Sequence, residues 1–131
     1  MKFKLTENYT LFEEFVFDSR IYNVKVNNCI KEAAKIMQNL GYEFEPDLVF
    51  VSNNSHSAFG QFKFPDNKYG TCTIRISANH FNDSEESITN TILHEMAHYF
   101  AYKNSLETNT KIQIYTIAIA PVKSHFLLLS L

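Results

Sequence analysis

Apolar and polar positions recur along the chain with two different periods, and these periods predict two helices and a small sheet. In residues 28–40 apolar side chains return every three or four positions, and Gly41 follows at the place where helices commonly end. A second helical pattern begins near Asp83, which can cap the helix together with Glu86. This pattern fades near residues 103–104, so the second helix is expected to end there.

Strand patterns occupy the region between the two helices. Residues 48–51 are apolar without interruption, residues 59–64 have an extended pattern, and residues 71–77 alternate strictly between apolar and polar positions. The loop at residues 65–70 predicts a hairpin between the last two segments, and residues 112–119 also resemble a strand. We therefore expect an α+β domain with helices packed on a small, twisted, mainly antiparallel sheet.

Length and composition indicate one soluble domain, residues 1–131. Apolar residues make up 45% and charged residues 20% of the chain, and the net charge of −2 predicts weak nucleic-acid binding at most. Cys29 and Cys72 lie far apart, which predicts buried, inert thiols in a reducing compartment. Because the N-terminus turns acidic early and residues 112–131 are interrupted by polar positions, we expect a cytoplasmic protein without a membrane partner.

The second helical pattern contains an H-E-x-x-H arrangement at residues 94–98. His94 and His98 are four positions apart, so their Cβ atoms are about 5–6 Å apart on one helix face. Both imidazoles can then reach one zinc ion at about 2.0–2.1 Å. Glu95 projects about 100° around the helix from His94, where it can take a proton from a water molecule bound to the metal. The simpler alternative is a surface helix with two incidental histidines.

Around this motif the sequence resembles the SprT-like domain of zincin metallopeptidases, a family that includes the Spartan-type proteases. The resemblance rests on Gly60, on T-C-T-I-R-I-S at residues 71–77 and on T-I-L-H-E-M-A-H at residues 91–98. It is best over residues 27–103, whereas the tail at residues 104–131 is atypical. Spartan-type members cleave proteins crosslinked to DNA, a substrate that fold analogy alone does not assign to this chain.

The resemblance implies a zincin-like minimal domain with an H-E-x-x-H active-site helix. It implies that His94 and His98 hold one Zn²⁺ per chain and that Glu95 is the catalytic acid and base. The reaction is then the hydrolysis of peptide bonds in protein or peptide substrates. An extended substrate is expected along a sheet edge above the metal, and we expect residues 71–77 to form that edge.

The chain departs from the family pattern at the third metal ligand. Members commonly carry a third histidine a little over ten residues past the motif, but residues 104–115 contain none. The candidates are His125, then Glu107 just after an expected turn at residues 104–105, and then His80. A site with only two protein ligands is the remaining alternative. The zinc ribbon of paired cysteines that many members carry is absent from this sequence.

Two other functions are compatible with the sequence. The first is a catalytically impaired, peptidase-derived module that binds metal or another protein. The missing histidine and the apolar tail favour this alternative. The second is a different H-E-x-x-H lineage, such as the ImmA/IrrE-type peptidases that cut regulatory proteins. The strand with the sequence I-R-I-S at residues 74–77 favours the SprT-like alternative.

The remaining polar and aromatic candidates have structural explanations. His56 and His80 lie in segments rich in Asn and Ser, where we expect exposed side chains without function. Tyr99 and Tyr102 are expected to be partly buried scaffold rather than oxyanion donors. Three basic residues around the predicted hairpin are expected to form a solvated face: Lys63, Lys68 and Arg75.

Overall fold

Two α-helices and five strands make up the part of the chain that the computed structural model describes, which is residues 10–11, 18–54, 58–67 and 70–108. The elements, in chain order, are β1 (Thr10–Leu11), β2 (Asp18–Ser19), α1 (Val24–Asn39), β3 (Leu48–Asn53), β4 (Gly60–Lys63), β5 (Cys72–Ser77) and α2 (Glu85–Thr108), with a 3-10 turn at Ala78–His80. The α+β class and the three central strands are therefore confirmed. The predicted strand at residues 112–119 lies outside the described residues.

The sheet is mixed, and the prediction of a mainly antiparallel sheet is wrong. Its strand order is β1-β2-β3-β5-β4. The outer pairs β1–β2 and β4–β5 are antiparallel, whereas β2–β3 and β3–β5 are parallel. The first three residues of β3 are all buried, as is typical of interior parallel strands. The β4–β5 hairpin that the sequence predicts is present, but it joins the sheet through β5.

Strand β4, not β5, forms one edge of the described sheet, and β1 forms the other. The expectation that residues 71–77 form this edge is wrong because β5 lies between β3 and β4. Ser77 donates its backbone N–H to the carbonyl oxygen of Phe59 at 2.8 Å, which makes these two residues a hydrogen-bonded pair. Alternation along an antiparallel ladder then directs the backbone N–H and C=O groups of Gly60 and Phe62 towards the open edge.

Helix α1 begins earlier than its apolar periodicity predicts. Asn23 is the N-cap, and its side chain accepts a hydrogen bond from the backbone N–H of Val26 at 3.0 Å. An asparagine in this role is favoured because it satisfies a backbone donor at the helix end. At the other end, Gly41 has a φ of 95°, so the predicted glycine terminator is confirmed.

Helix α2 differs from the prediction at both ends. Ser84, rather than Asp83, caps it, since the Ser84 hydroxyl accepts the backbone N–H of Ser87 at 3.1 Å. Asp83 is instead bonded to His80. The helix continues to Thr108 instead of ending near residues 103–104, and no glycine or proline interrupts that stretch.

The core lies between the two helices and the sheet. Helix α2 contacts β4 and β5 and packs against α1, so its middle turns are covered on several sides. Cys29 and Cys72 are buried free thiols in this core, as the sequence predicts. Among the described residues, no helix is both long enough and apolar enough to cross a membrane.

Candidate active site

His94 and His98 turn their ring nitrogens towards each other on the buried middle of α2. Their Nε2 atoms are 3.2 Å apart, and the two rings are nearly perpendicular at 80°. Two nitrogens bound to a tetrahedral zinc ion at about 2.0–2.1 Å are separated by about 3.3–3.4 Å. The pair therefore has a spacing compatible with two adjacent ligands of one zinc ion, without a change of rotamer.

Glu95 extends from α2 to the open edge of the sheet. Its carboxylate accepts a hydrogen bond from the backbone N–H of Phe62, one of the β4 groups that face away from β5. The residue itself is only 7% exposed. The carboxylate therefore lies at the sheet edge, next to the helix that carries both histidines.

Burial raises the pKa of Glu95 to about 7, although the hydrogen bond from Phe62 acts in the opposite direction. This pKa belongs to the protein without metal. A bound dication beside the carboxylate would favour its ionised form and lower the pKa. In the metal-free site, Glu95 is therefore partly protonated at neutral pH.

The raised pKa predicts that Glu95→Gln stabilises the metal-free protein at alkaline pH. The folded-state pKa of about 7 exceeds the ordinary value of 4.5, so stability falls as pH rises through this interval. This difference in pKa corresponds to a loss of at most about 3 kcal/mol in the free energy of unfolding at alkaline pH. Glutamine carries no charge there, so the variant avoids that loss. Urea unfolding with a chelator at pH 5 and pH 8 checks this. An equal effect at both pH values would contradict the prediction.

Gly60 brings the edge strand close to α2. A Cβ atom at this position would lie 2.7 Å from Thr91 Cγ2, 3.1 Å from Glu95 Cγ and 3.3 Å from Glu95 Oε2. A contact under 3 Å forces a neighbouring atom to move. The missing side chain therefore allows β4 to pack directly on the helix turn that carries Glu95.

A buried network around His80 fixes the same region from the other side, and the prediction that His80 is exposed is wrong. His80 is 0% exposed, and its Nδ1 is bonded to the carboxylate of Asp83. Its Nε2 lies 3.0 Å from the hydroxyl of Thr91, and its ring stacks on Phe59 at 4.4 Å. Thr91 lies one helical turn before Glu95, so this network supports the turn that Gly60 contacts.

Tyr99 and Lys103 join the next turns of α2 to the start of β3. The Tyr99 hydroxyl donates to Asp47 Oδ1 at 2.8 Å, and Lys103 Nζ donates to Asp47 Oδ2 at 2.8 Å. Lys103 also contacts Glu45 at 2.7 Å. Burial and the Asp47 carboxylate raise the pKa of Tyr99, so the hydroxyl stays protonated. Tyr99 and Tyr102 are both buried, more fully than the partial burial that the sequence predicts.

Among the described side chains, no group of three His, Cys, Asp or Glu residues could hold a metal ion. Both ring nitrogens of His80 are bonded to other residues, which argues against this candidate as the third ligand. The turn expected before Glu107 is absent, because α2 continues through that position. Nine residues of helix separate the backbones of Glu107 and His98 by about 13 Å, beyond the reach of a shared metal. His125 and His56 lie outside the described residues.

Local helical spacing was enough to predict the two motif histidines and Glu95 as site residues. The sequence did not indicate the other residues that shape the site. The packing of Gly60 on Thr91 and the edge donor of Phe62 depend on contacts between distant segments. The position of Thr91 in the sequence could have indicated its role. It lies four residues before Glu95, so both side chains are expected on one helix face.

The α+β fold carries the H-E-x-x-H sequence on a helix beside an edge strand, an arrangement compatible with a metallopeptidase-like domain. A model of the SprT-like family matches residues 5–111, and the chain belongs to this family. The resemblance seen in the sequence is thereby confirmed over a longer segment than residues 27–103. No curated protein and no solved structure matches the chain significantly.

Proposed function

We propose that the protein is a zinc-dependent metallopeptidase that hydrolyses peptide bonds in protein or peptide substrates. The observation that carries this proposal is the 3.2 Å separation of the two Nε2 atoms of His94 and His98. Glu95 follows His94 directly, and its carboxylate reaches the sheet edge. Membership of the SprT-like family, which is usually associated with zinc, supports the same chemistry.

In this mechanism His94 and His98 hold the zinc ion. Bound zinc would polarise the scissile carbonyl and lower the pKa of a coordinated water molecule. Glu95 accepts the proton of the attacking water and then delivers it to the leaving amine. The Phe62 N–H orients the Glu95 carboxylate, and the open backbone groups of Gly60 bind the extended substrate.

The second candidate is a peptidase-derived module that binds metal or another protein without efficient catalysis. It is favoured by the lack of a third metal ligand among the described side chains. A catalytic zinc usually has three protein ligands and one open position. A site held only by His94 and His98 would bind zinc weakly and position it poorly.

Metal analysis of the native protein, combined with a protease assay, separates the two candidates. We expect about one zinc per chain, casein cleavage that a chelator abolishes, and recovery of cleavage on adding zinc. His94→Ala should lose the zinc, whereas His56→Ala, which removes a histidine outside the motif, serves as the control and should keep it. Absence of zinc together with chelator-resistant behaviour would overturn the peptidase proposal.

A zinc titration of the metal-free protein tests the third ligand. If His125 supplies it, His125→Ala should weaken zinc affinity by about tenfold or more. Glu107→Ala should leave the affinity unchanged, because its backbone position on α2 is too far from His98. If neither substitution changes affinity, the site has only two of the expected ligands, which favours the module over the peptidase.

A further inference from the structure

One face of β4 and one stripe of α2 form an aromatic cluster that begins beside Glu95. The cluster consists of Phe62, Phe64, Tyr99 and Tyr102. Phe62 contacts Tyr99 and Tyr102 with ring centroids 6.2 and 6.1 Å apart. Phe64 stacks on Tyr102 at 5.4 Å with nearly parallel rings.

Strand β4 and helix α2 run side by side in this region, and successive residues of the strand contact successive turns of the helix. Gly60 lies against Thr91 and Glu95, Phe62 against Tyr99, and Phe64 against Tyr102. The strand rises by about 3.3 Å per residue, so Phe64 lies about 13 Å from Gly60 along the edge. The aromatic cluster therefore extends from the Glu95 carboxylate in one direction only along β4.

Phe64 is the accessible end of the cluster. Its side chain is half exposed (51%), whereas Tyr99 is fully buried and Tyr102 nearly so. Phe59, at the other end of the strand, is similarly exposed but stacks on His80 instead. An apolar surface of this kind next to an edge strand offers a second strand the backbone groups of Gly60 as partners and a place for one apolar side chain.

We propose that Phe64, stacked on Tyr102, forms a subsite that selects substrates with an aromatic or large aliphatic side chain two to four residues from the cleaved bond. The inference rests on the proposed peptidase function. A strand added along β4 keeps its side chains in register with Gly60 and Phe62, and Phe64 follows directly after the end of β4 on the same side as Phe62. The bond beside Glu95 is then cut, and the side chain opposite the end of β4 contacts the exposed ring of Phe64. Glycine, serine or a charged residue at that position makes no such contact.

A series of quenched fluorescent decapeptides tests this preference. Each peptide consists of glycine, alanine and serine with one phenylalanine, which is moved along the series. We expect kcat/KM to peak when phenylalanine lies two to four residues to one side of the cleaved bond. The expected gain over the serine peptide is about 10- to 100-fold, the range for an apolar side chain in a matching pocket.

Two variants link the preference to this subsite. Phe64→Ala should reduce the gain to about threefold or less, whereas Phe59→Ala removes an equally exposed ring from the other end of β4 and should preserve it. Thermal unfolding verifies that both variants are folded. Equal cleavage of all peptides, or an unchanged preference in Phe64→Ala, would overturn the subsite and leave the peptidase function intact.

A binding measurement tests the Phe64 subsite independently of the proposed peptidase activity. Fluorescence anisotropy of the same peptides, labelled and mixed with zinc-loaded Glu95→Gln protein, reports the subsite without turnover. Tighter binding of the phenylalanine peptide, lost in Glu95→Gln/Phe64→Ala, supports the subsite even if no peptide is cleaved by the parent. If binding shows no preference and Phe64→Ala instead abolishes a dimer in light scattering, the ring contacts a second copy and the proposal fails.

Discussion

Replacing Glu95 with glutamine is expected to lower the rate of peptide hydrolysis by roughly 10²- to 10⁴-fold while zinc stays bound. Glutamine is nearly isosteric and its side-chain oxygen can still accept the N–H of Phe62, so the local geometry is preserved. It cannot accept the proton of the attacking water. Zinc content and initial cleavage rates of parent and variant, measured on the same preparation, check the prediction.

A matched control comes from the exposed first turn of the same helix. Glu86→Gln removes the same charge about nine residues away from Glu95 and should leave both zinc content and hydrolysis unchanged. If Glu95→Gln cleaves as fast as the parent, the proposed mechanism is wrong. If Glu95→Gln loses the zinc as well, the carboxylate is a ligand rather than an acid and base.

The helices and strands were largely predictable because their patterns are local. The apolar periodicity of α1 and α2 arises from the single face that each helix buries, so it is visible in the sequence. The pairing of β3 with β5 was not visible. Strict alternation in β5 indicates which side chains face the core, but it does not indicate which strands are its neighbours. The continuous apolar run of β3 was the one signal for an interior parallel strand.

The residues of the candidate site likewise separate into those that a local pattern predicts and those that tertiary contacts bring together. The relative positions of His94, Glu95 and His98 follow from helical geometry. Residues four positions apart on a helix, such as the two histidines, always lie on the same face. His80 was misjudged because the composition of its segment is typical of exposed turns. The structure instead buries the ring between Asp83 and Thr91. The stacking of His80 on Phe59, which directly precedes β4, connects residues farther apart in sequence and joins β4 to the turn of α2 that carries Thr91.

Substituting Gly60 with alanine is expected to destabilise the fold by about 1–3 kcal/mol, the usual cost of overpacking. The added Cβ would meet Thr91 Cγ2 at 2.7 Å. Thr91 cannot easily rotate away because its hydroxyl donates to the Ser87 carbonyl at 3.1 Å and contacts His80 at 3.0 Å. Displacing Glu95 from the edge should also lower kcat/KM by about 10- to 100-fold. Urea unfolding and cleavage assays measure both effects.

The double variant Gly60→Ala/Thr91→Ser decides whether this close contact is the cause. Serine removes the methyl group that the new Cβ would meet, yet it keeps the hydroxyl that bonds to Ser87 and His80. Thr91→Ser alone should cost about 0.5–1.5 kcal/mol, as expected for one buried methyl group. The double variant should be more stable than the sum of the single effects predicts, by about 1 kcal/mol or more, with partial recovery of kcat/KM. Strictly additive effects would mean that the contact with the Thr91 methyl group is not the cause, and that the added Cβ acts through its contacts with Glu95 instead.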